Sequence, residues 1–208
     1  MAGRQLGWAA YPAWSGLGEE PSGWRALQEA SIAGRAEPFV AVGDRLALFV
    51  GAGWDARVAG RYAAAGAKRM RGWATAIAQS VPDLLSRQPV EVIADGWSVH
   101  RGLIELVIIG TTPYYGRGLR VNPGARSDAG QMSMRIYPGP APRLAIEAGR
   151  WVLGARPRAD RIDAREITIR SLDGTGIPVQ ADGDLVGERP EWRFELRPAA
   201  VRLIGRWS

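Results

Sequence analysis

The 208-residue sequence contains no cysteine, one histidine and one lysine. The absence of cysteine excludes disulfide bonds, thiolate metal sites and cysteine nucleophiles, and it is consistent with a reducing compartment. The single histidine, His100, excludes any chemistry that needs two histidines in one chain. Because it lies in a strand-like run without a carboxylate at helical spacing, we expect His100 to be structural.

The sequence also lacks a long hydrophobic run. The longest runs, residues 46–54 and 103–110, are far shorter than the roughly 20 residues that a helix needs to cross a bilayer. The N-terminus has no basic region followed by an apolar stretch, which argues against a signal peptide. We therefore expect a soluble, cytoplasmic protein whose contact with a membrane, if any, is peripheral and at the inner surface.

The formal net charge is +6, and nearly all of the positive charge is arginine. Such a surface favours anionic partners, among them phosphates and the headgroups of an anionic membrane. The arginines are spread along a chain that is also rich in alanine and glycine, so compositional bias is the alternative explanation. Nucleic acid is not expected as a partner, because Tyr114 and Tyr115 form only one aromatic pair for stacking bases.

Short strand-like runs separated by Gly and Pro turns dominate the sequence after residue 37. They predict a mainly β (α+β) fold, an antiparallel β-sandwich. A helical insertion is predicted at about 56–85, where apolar residues recur at helical spacing, with breaks at Gly66 and Pro82. Pro142 predicts the start of a second, short helix at about 142–153.

Two regions are predicted along the chain. Residues 1–37 have few β-branched residues and are predicted to be a connector, whereas residues 38–208 form the sandwich domain. The connector contains Trp8, Trp14 and Trp24, which we expect to be buried against a neighbouring surface because exposed aromatic clusters are costly.

The stretch 179–197 contains the strongest turn signal, Asp182-Gly183-Asp184. We expect a hairpin here, with a following strand at 192–197 that places Trp192 and Phe194 on one face. Such a turn can hold two carboxylates in a fixed place, as a general base requires. An ordinary surface hairpin is the alternative.

A second glycine-rich stretch, residues 172–176, does not qualify as a phosphate-binding loop. Such loops need a strand before and a helix after, and here strand-like runs lie on both sides. We expect a hairpin turn there. No P-loop, dinucleotide, serine-hydrolase or metalloprotease motif is present in the sequence.

Five short motifs occur in a characteristic order from about residue 38 to the end of the chain. They are Gly53-Trp54-Asp55-Ala56; Ile109-Gly110 leading to Tyr115-Gly116-Arg117-Gly118; Pro123-Gly124-Ala125 leading to Asp128-Ala129-Gly130; Asp182-Gly183-Asp184; and Arg197-Pro198-Ala199-Ala200-Val201. In this order they resemble the C-terminal domain of the diacylglycerol kinase-like lipid kinases, the bacterial family that also covers sphingosine kinase-like enzymes.

The resemblance implies a two-domain kinase in which a lipid substrate and ATP meet between the domains. The family's Gly-Gly-Asp-Gly-Thr phosphate loop and Gly-Thr-Gly-Asn-Asp motif are not in this sequence. ATP is therefore expected only through a partner, either a separate nucleotide-binding subunit or a homo-oligomer, and the chain is not expected to be active alone.

The resemblance also implies candidate site residues. The catalytic pair is Asp182 and Asp184, where Asp184 stands in place of the family's glutamate, the proposed base for the lipid hydroxyl. Aspartate performs the same proton chemistry but is one methylene shorter. The candidate substrate-binding residues are Asp55, Tyr114, Tyr115, Gly116 and Gly118.

A structural Mg2+ is the only resident cofactor that the resemblance implies. In the family it is bound by two backbone carbonyls and an aspartate, and the matching positions here are Arg126, Ala129 and Gln131. The carboxylate is therefore replaced by an amide, and Asp128 is the candidate substitute, although Mg2+ demands strict octahedral geometry.

Three functions agree with these observations. The first is the substrate-binding half of a lipid kinase, which binds a diacylglycerol-like lipid and supplies the general base. The second is a non-catalytic lipid-binding or regulatory module derived from that family. The third is a fragment of a full kinase.

Overall fold

The computed structural model describes residues 35–64, 70–85, 87–115 and 118–203. The three tryptophans of the predicted connector, Gly66 and Gly116 lie outside the described residues. The first described element is a strand that begins at Arg35, three residues before the predicted start of the sandwich domain.

Twelve strands of the described region form two antiparallel sheets of six strands each. The spatial order of the first sheet is β2 (Arg45–Ala47), β1 (Arg35–Val42), β12 (Glu191–Leu203), β9 (Glu166–Ser171), β4 (Gln88–Ala94) and β5 (Trp97–Ile104). The order of the second is β11 (Asp184–Arg189), β10 (Ile177–Ala181), β3 (Phe49–Gly53), β6 (Leu106–Gly110), β7 (Met132–Tyr137) and β8 (Arg161–Ala164). The predicted antiparallel sandwich is confirmed.

The main hydrophobic core lies between the two sheets. In β4 the inward residues Val90, Val92 and Ala94 are buried and alternate with less buried residues, as expected for a strand with one solvated face. Every residue of β6 is buried instead, because Val107 faces this core while Leu106 faces a second cluster on the outer side of the sheet. A strand covered on both faces explains the unbroken apolar run in the sequence.

Three α-helices of the described region accompany the second sheet: α1 (Trp54–Ala64), α2 (Met70–Ser80) and α3 (Ala141–Val152). Helix α1 packs on β3, β10 and β11, α2 packs on α1, and α3 covers the outer face of β6 and β7. The second predicted helix is confirmed. No described helix has the length and apolarity needed to span a membrane.

The described part of the predicted helical insertion at 56–85 contains α1, α2 and a 3-10 turn, Pro82–Leu85. Proline has no N–H to donate and cannot continue an α-helix, which is why α2 ends before it. The indole N–H of Trp54 donates to the Ser80 carbonyl at 2.6 Å, and Arg61 pairs with Asp83. These contacts join both ends of α1 to the end of the insertion.

The strand predicted to follow the Asp182-Gly183 turn in the hairpin is wrong. The strand after the turn is β11, and the run 192–197 belongs to β12 in the other sheet. The strand β11 was not predicted because Gly187, at φ +146°, interrupts its alternation. Trp192 and Phe194 alternate clearly because they are buried in the core between the sheets.

Two smaller predictions are also wrong. Residues 172–176 connect β9 of the first sheet to β10 of the second, so they form a crossover and not a hairpin. The predicted strand at 119–121 is limited to an isolated bridge between Tyr115 and Leu119. The backbone N–H of Val121 bonds to the Leu119 carbonyl at 3.0 Å, a turn geometry that prevents extended pairing.

Candidate functional site

The Asp182-Gly183 turn joins β10 to β11 as a two-residue hairpin. Asp182 and Gly183 have φ values of +49° and +95°, and Ala181 pairs with Asp184 across the turn. Positive φ at both central residues is the type I′ geometry, which favours Asp or Asn followed by Gly. The predicted turn is therefore present, with Asp182 as its first central residue and Asp184 directly after it.

The Asp182 carboxylate holds this turn against the start of β3. It accepts hydrogen bonds from the backbone N–H of Leu48 at 3.1 and 3.2 Å and of Phe49 at 3.1 Å. The Asp182 N–H donates in return to the Phe49 carbonyl at 3.0 Å. Burial raises the pKa of Asp182 to about 6, although the two N–H donors lower it, and the charge of Asp184 adds to the rise.

The same clamp occurs at the other Asp-Gly hairpin, between β4 and β5. The Asp95 carboxylate accepts hydrogen bonds from the N–H groups of Arg165 at 2.9 Å and Glu166 at 2.8 Å. The Asp95 N–H donates to the Glu166 carbonyl at 2.9 Å. The clamp is therefore a means of fixing a hairpin to a neighbouring strand, and alone it does not mark a functional site.

A polar cluster beneath the turn distinguishes Asp182 from Asp95. We name it the Asp55 cluster; it consists of Asp55, Tyr115 and Gln180. The amide of Gln180 donates to the Asp55 carboxylate at 3.1 Å and to the Tyr115 hydroxyl at 2.6 Å, and its oxygen accepts the Gly183 N–H at 2.7 Å. The Tyr115 hydroxyl donates to the same Asp55 oxygen. Gln180 thus connects the cluster directly to the turn.

Burial dominates the electrostatics of the Asp55 cluster. It raises the pKa of Asp55 to about 6 against the opposing hydrogen bonds of Tyr115 and Gln180. It also raises the pKa of Tyr115 well above its usual value, with the Asp55 charge as the next cause. Oδ1 of Asp55 has no hydrogen-bond partner among the described residues. The cluster therefore holds a carboxyl group whose charge changes near neutral pH.

Close packing at Gly51 encloses the cluster. A Cβ at this position would overlap the Asp55 carboxylate and lie 2.5 Å from the Tyr115 hydroxyl. The ring of Phe49 covers Tyr115 at a centroid distance of 4.5 Å. Gly51 and Gln180 were not predicted as site residues. A polar residue in a strand as apolar as residues 177–181 was the available signal for Gln180.

Asp184 is the exposed member of the site. It begins β11 and its side chain is open to solvent, whereas Asp182 is half-buried. Because the clamp and Gln180 fix the backbone of the turn on both sides, the Asp184 carboxylate starts from a rigid position. The arrangement can accept a proton from a group that approaches the turn from outside.

Among the predicted substrate-binding residues that the structure describes, Asp55 and Tyr115 belong to the cluster, whereas Tyr114 and Gly118 do not. Tyr114 is half-buried, and its N–H lies 3.3 Å from the Thr112 hydroxyl. Gly118, at φ +86°, lies in the short loop that the Tyr115–Leu119 bridge closes. Their contact with a substrate stays a prediction.

The residues predicted to bind Mg2+ lie around a 3-10 turn, Ser127–Ala129, and not in the Asp55 cluster. The guanidinium of Arg126 bonds to both oxygens of Asp128, at 2.8 and 2.7 Å, and Gln131 is exposed. Within the described residues no three His, Asp or Glu side chains are grouped as metal ligands. A carboxylate already paired with a guanidinium does not fit the predicted Mg2+ ligand.

The chain was compared with proteins of known sequence and structure. No curated protein sequence matches it significantly. A diacylglycerol kinase structure from Bacillus anthracis str. Sterne is similar, with a TM-score of 0.64 and 14% identity, over 95% of this chain and 65% of that one. A proposed diacylglycerol kinase from the same organism gives 0.62 and 15%, over 88% and 59%.

At such low identity, the TM-scores show a shared fold and no more. The chain spans less than two thirds of the length of both structures. The family model of the YegS C-terminal NAD kinase beta sandwich-like domain matches residues 48–205, which is most of the chain. The chain therefore belongs to the YegS C-terminal NAD kinase beta sandwich-like domain family.

Proposed function

We propose that this domain binds a diacylglycerol-like lipid and supplies Asp184 as the general base for its phosphorylation by ATP. The observation that carries the proposal is the doubly fixed Asp182-Gly183 turn. It is anchored to β3 by Asp182 and to the Asp55 cluster by Gln180. The second Asp-Gly turn, Asp95-Gly96, has only the carboxylate anchor. The residue after its glycine is Trp97, at the position that Asp184 has in the first turn.

In this reaction Asp184 accepts the proton of the lipid hydroxyl while the hydroxyl oxygen bonds to the γ-phosphorus of ATP. The bond between that phosphorus and the bridging oxygen breaks, and ADP leaves. Asp182 acts as a positioning residue, because its carboxylate is occupied by the N–H groups of Leu48 and Phe49. Asp184 carries the proton because it is the carboxylate of the turn that is open to solvent.

ATP with its magnesium is proposed to come from a nucleotide-binding domain outside these 208 residues. Two findings support a lipid kinase: the family membership and the similar structures described as diacylglycerol kinases. The sequence has no P-loop of its own. The Tyr115 hydroxyl is occupied by Asp55 and Gln180, so we assign it to supporting the turn from beneath.

The proposal is tested by phosphoryl transfer. The chain is mixed with a nucleotide-binding domain of a bacterial diacylglycerol kinase, labelled ATP, magnesium and diacylglycerol in detergent micelles, and labelled lipid is counted. The variants are Asp184→Ala, Asp184→Glu and Asp44→Ala. Asp44 is a matched control because it is also an exposed aspartate in a hairpin turn, between β1 and β2.

Loss of a general base typically lowers the rate by about 10²–10⁴-fold, which is the expected effect of Asp184→Ala. Asp184→Glu restores the side chain expected from the family resemblance and is expected to retain transfer. Asp44→Ala is expected to behave as the wild type. Transfer that survives Asp184→Ala unchanged would remove Asp184 from the mechanism.

A non-catalytic lipid-binding module is the second candidate. The observation in its favour is the pairing of Asp128 with Arg126, in the loop where the family resemblance places a metal carboxylate. This candidate predicts no transfer with any nucleotide-binding domain, together with a rise in melting temperature when diacylglycerol micelles are added.

A further inference from the structure

The solvent-exposed face of α3 is apolar. With 3.6 residues per turn, one side of the helix presents six exposed residues: Pro142, Ala145, Ile146, Gly149, Val152 and, at the C-cap, Leu153. Ile146, Val152 and Leu153 are 55%, 72% and 84% exposed. Arg143 is the one charged residue among the exposed side chains described in this helix.

The opposite face of α3 is apolar as well. Leu144 and Trp151 are buried over Tyr137 and β6, and the rings of Tyr137 and Trp151 meet edge to face at 5.4 Å. The helix therefore packs on the sheet through this face, and its outer residues do not belong to this core. A helix that is apolar on both sides is typical of one covered on both sides.

Arginines border the apolar face. Arg143 and Arg150 lie on one flank of the helix, and Arg156 and Arg158 follow it. The Glu147 carboxylate on this flank is occupied, because it accepts the Arg158 N–H at 3.0 Å and lies 3.8 Å from Arg150. Asp160 is the next carboxylate along the chain. The border of the face is therefore mainly positive.

A pocket of about 430 Å3 opens at the C-terminal end of α3. Three of its lining residues are arginines, Arg120, Arg135 and Arg156, and the pocket wall continues directly from Leu153 through Gly154 and Ala155. The volume is sufficient for a phosphate group with part of the molecule that carries it. Arginine binds phosphate oxygens through paired N–H donors.

Arg135 gives this pocket a buried cation. Only 6% of the residue is exposed, its Nη1 donates to the Ala159 carbonyl, and its Nε has no partner among the described residues. A buried guanidinium with an unused donor is costly unless an anion is near it. The charges of Glu147 and Asp160 act on this guanidinium, but neither carboxylate bonds to its Nε, so the pocket offers a buried donor to an anionic oxygen.

The loop between β6 and β7 contributes residues to both the pocket and the Asp55 cluster. It provides Tyr115 to the Asp55 cluster, and it provides Arg120 and Gly124 to the pocket. The same loop therefore joins the arginine pocket to the Asp55 cluster along the chain.

We propose that α3 and the arginine pocket form a docking surface for a bilayer that contains anionic phospholipid. The apolar face enters the interface, the bordering arginines meet the anionic surface, and a headgroup phosphate occupies the pocket. An anionic bilayer matches the surface because it offers apolar chains and negative phosphates side by side. The inference rests on the proposed function only in that the same bilayer carries the lipid substrate.

The test is flotation of the full chain with vesicles, without nucleotide or partner domain. Vesicles of phosphatidylcholine alone are compared with vesicles that also contain phosphatidylglycerol. One double variant, Val152→Ser with Leu153→Ser, removes the apolar tip. Another, Arg120→Gln with Arg156→Gln, removes two pocket cations and leaves the buried Arg135 in place.

Matched controls carry the same changes elsewhere. Val81→Ser with Leu172→Ser alters apolar residues that are 52% and 40% exposed. Arg193→Gln with Arg197→Gln removes two exposed arginines from β12. The wild type and both controls are expected to float with the anionic vesicles.

The wild type is expected to bind anionic vesicles more tightly than neutral ones. The serine pair is expected to weaken binding roughly tenfold or more, from lost apolar burial. The glutamine pair is expected to weaken it about fivefold per arginine, and only for anionic vesicles.

Three results would overturn the docking surface. The first is equal binding by wild type and both test variants. The second is a changed sedimentation coefficient of the serine pair without lipid, which identifies a protein interface. The third is stabilisation by inorganic phosphate that depends on Arg156, without vesicle binding, which identifies a site for free phosphate. Asp184→Ala is expected to float as the wild type, although it loses transfer. A wild-type chain that transfers phosphate in micelles but does not float contradicts the docking surface alone.

Discussion

The sharpest test of the Asp55 cluster is Gly51→Ala, because it adds one methyl group and removes no hydrogen-bonding group. The added Cβ would overlap the Asp55 carboxylate and lie 2.5 Å from the Tyr115 hydroxyl. Contacts of that kind force the cluster to move. Since Gly51 has no positive φ, backbone strain does not contribute to the effect.

The magnitude follows from overpacking. An extra methyl group in a closely packed region typically costs about 1–3 kcal/mol. For a chain of this size, each kcal/mol lowers the melting temperature by about 2–4 °C. We therefore expect Gly51→Ala to melt at a temperature about 2–12 °C below the wild type.

Gly149→Ala provides a control of opposite sign. Gly149 lies in α3, and a Cβ there would meet nothing within 4 Å. Alanine is a better helix former than glycine by about 0.8–1 kcal/mol, so this variant is expected to be more stable than the wild type. Thermal unfolding followed by circular dichroism measures both variants. If both glycines tolerate alanine equally, the cluster is not packed against Gly51 as described.

Three further predictions concern the carboxylates and the core. The folded pKa of Asp55, about 6, lies above its usual value of 3.8, so the folded state binds this proton more tightly. The free energy of unfolding therefore falls as the pH rises from about 4 to 6. Asp55→Asn is expected to remove at most about 3 kcal/mol of that fall. Urea titrations at several pH values measure the difference. Asp182→Ala is expected to lower the free energy of unfolding by about 1–3 kcal/mol, because it leaves the buried N–H of Leu48 unpaired. Asp95→Ala is expected to lower it less, because Asp95 is exposed and water can replace its carboxylate. Equal losses of the two variants in urea titrations would contradict this. Trp192→Ala is expected to lower the free energy of unfolding by about 3–5 kcal/mol, since Trp192 is only 2% exposed. A urea midpoint that shifts by less than this loss requires, at an unchanged m-value, would contradict that packing.

The comparison of sequence with structure separates short-range from long-range information. The Asp182-Gly183 turn and α3 were predicted correctly, because Asp-Gly and a proline followed by helical periodicity are local signals. The placement of Trp192 was wrong because alternation shows that one face is buried, and it does not show which sheet the strand joins. β11 was missed because Gly187 weakens the local pattern.

The candidate site shows the same division. Asp182 and Asp184 were found in one turn, and the family motifs pointed to Asp55 and Tyr115. Their connection through Gln180 had no local signal, because Tyr115 is 65 residues away from Gln180 and Asp55 is 125. The second clamp, at Asp95, also became visible only in three dimensions. It indicates that the hydrogen bonds of the Asp182 carboxylate have a structural role.

By itself the sequence determined the fold class, the turn with its two aspartates, the family resemblance and the absence of a P-loop. Each of these depends on residues close together in the chain or on an ordered set of motifs. Only the tertiary structure decided the sheet that each strand joins, the buried cluster beneath the turn and the apolar outer face of α3. The physical reason is that burial and hydrogen-bond partners are set by contacts between distant segments, which no local pattern encodes.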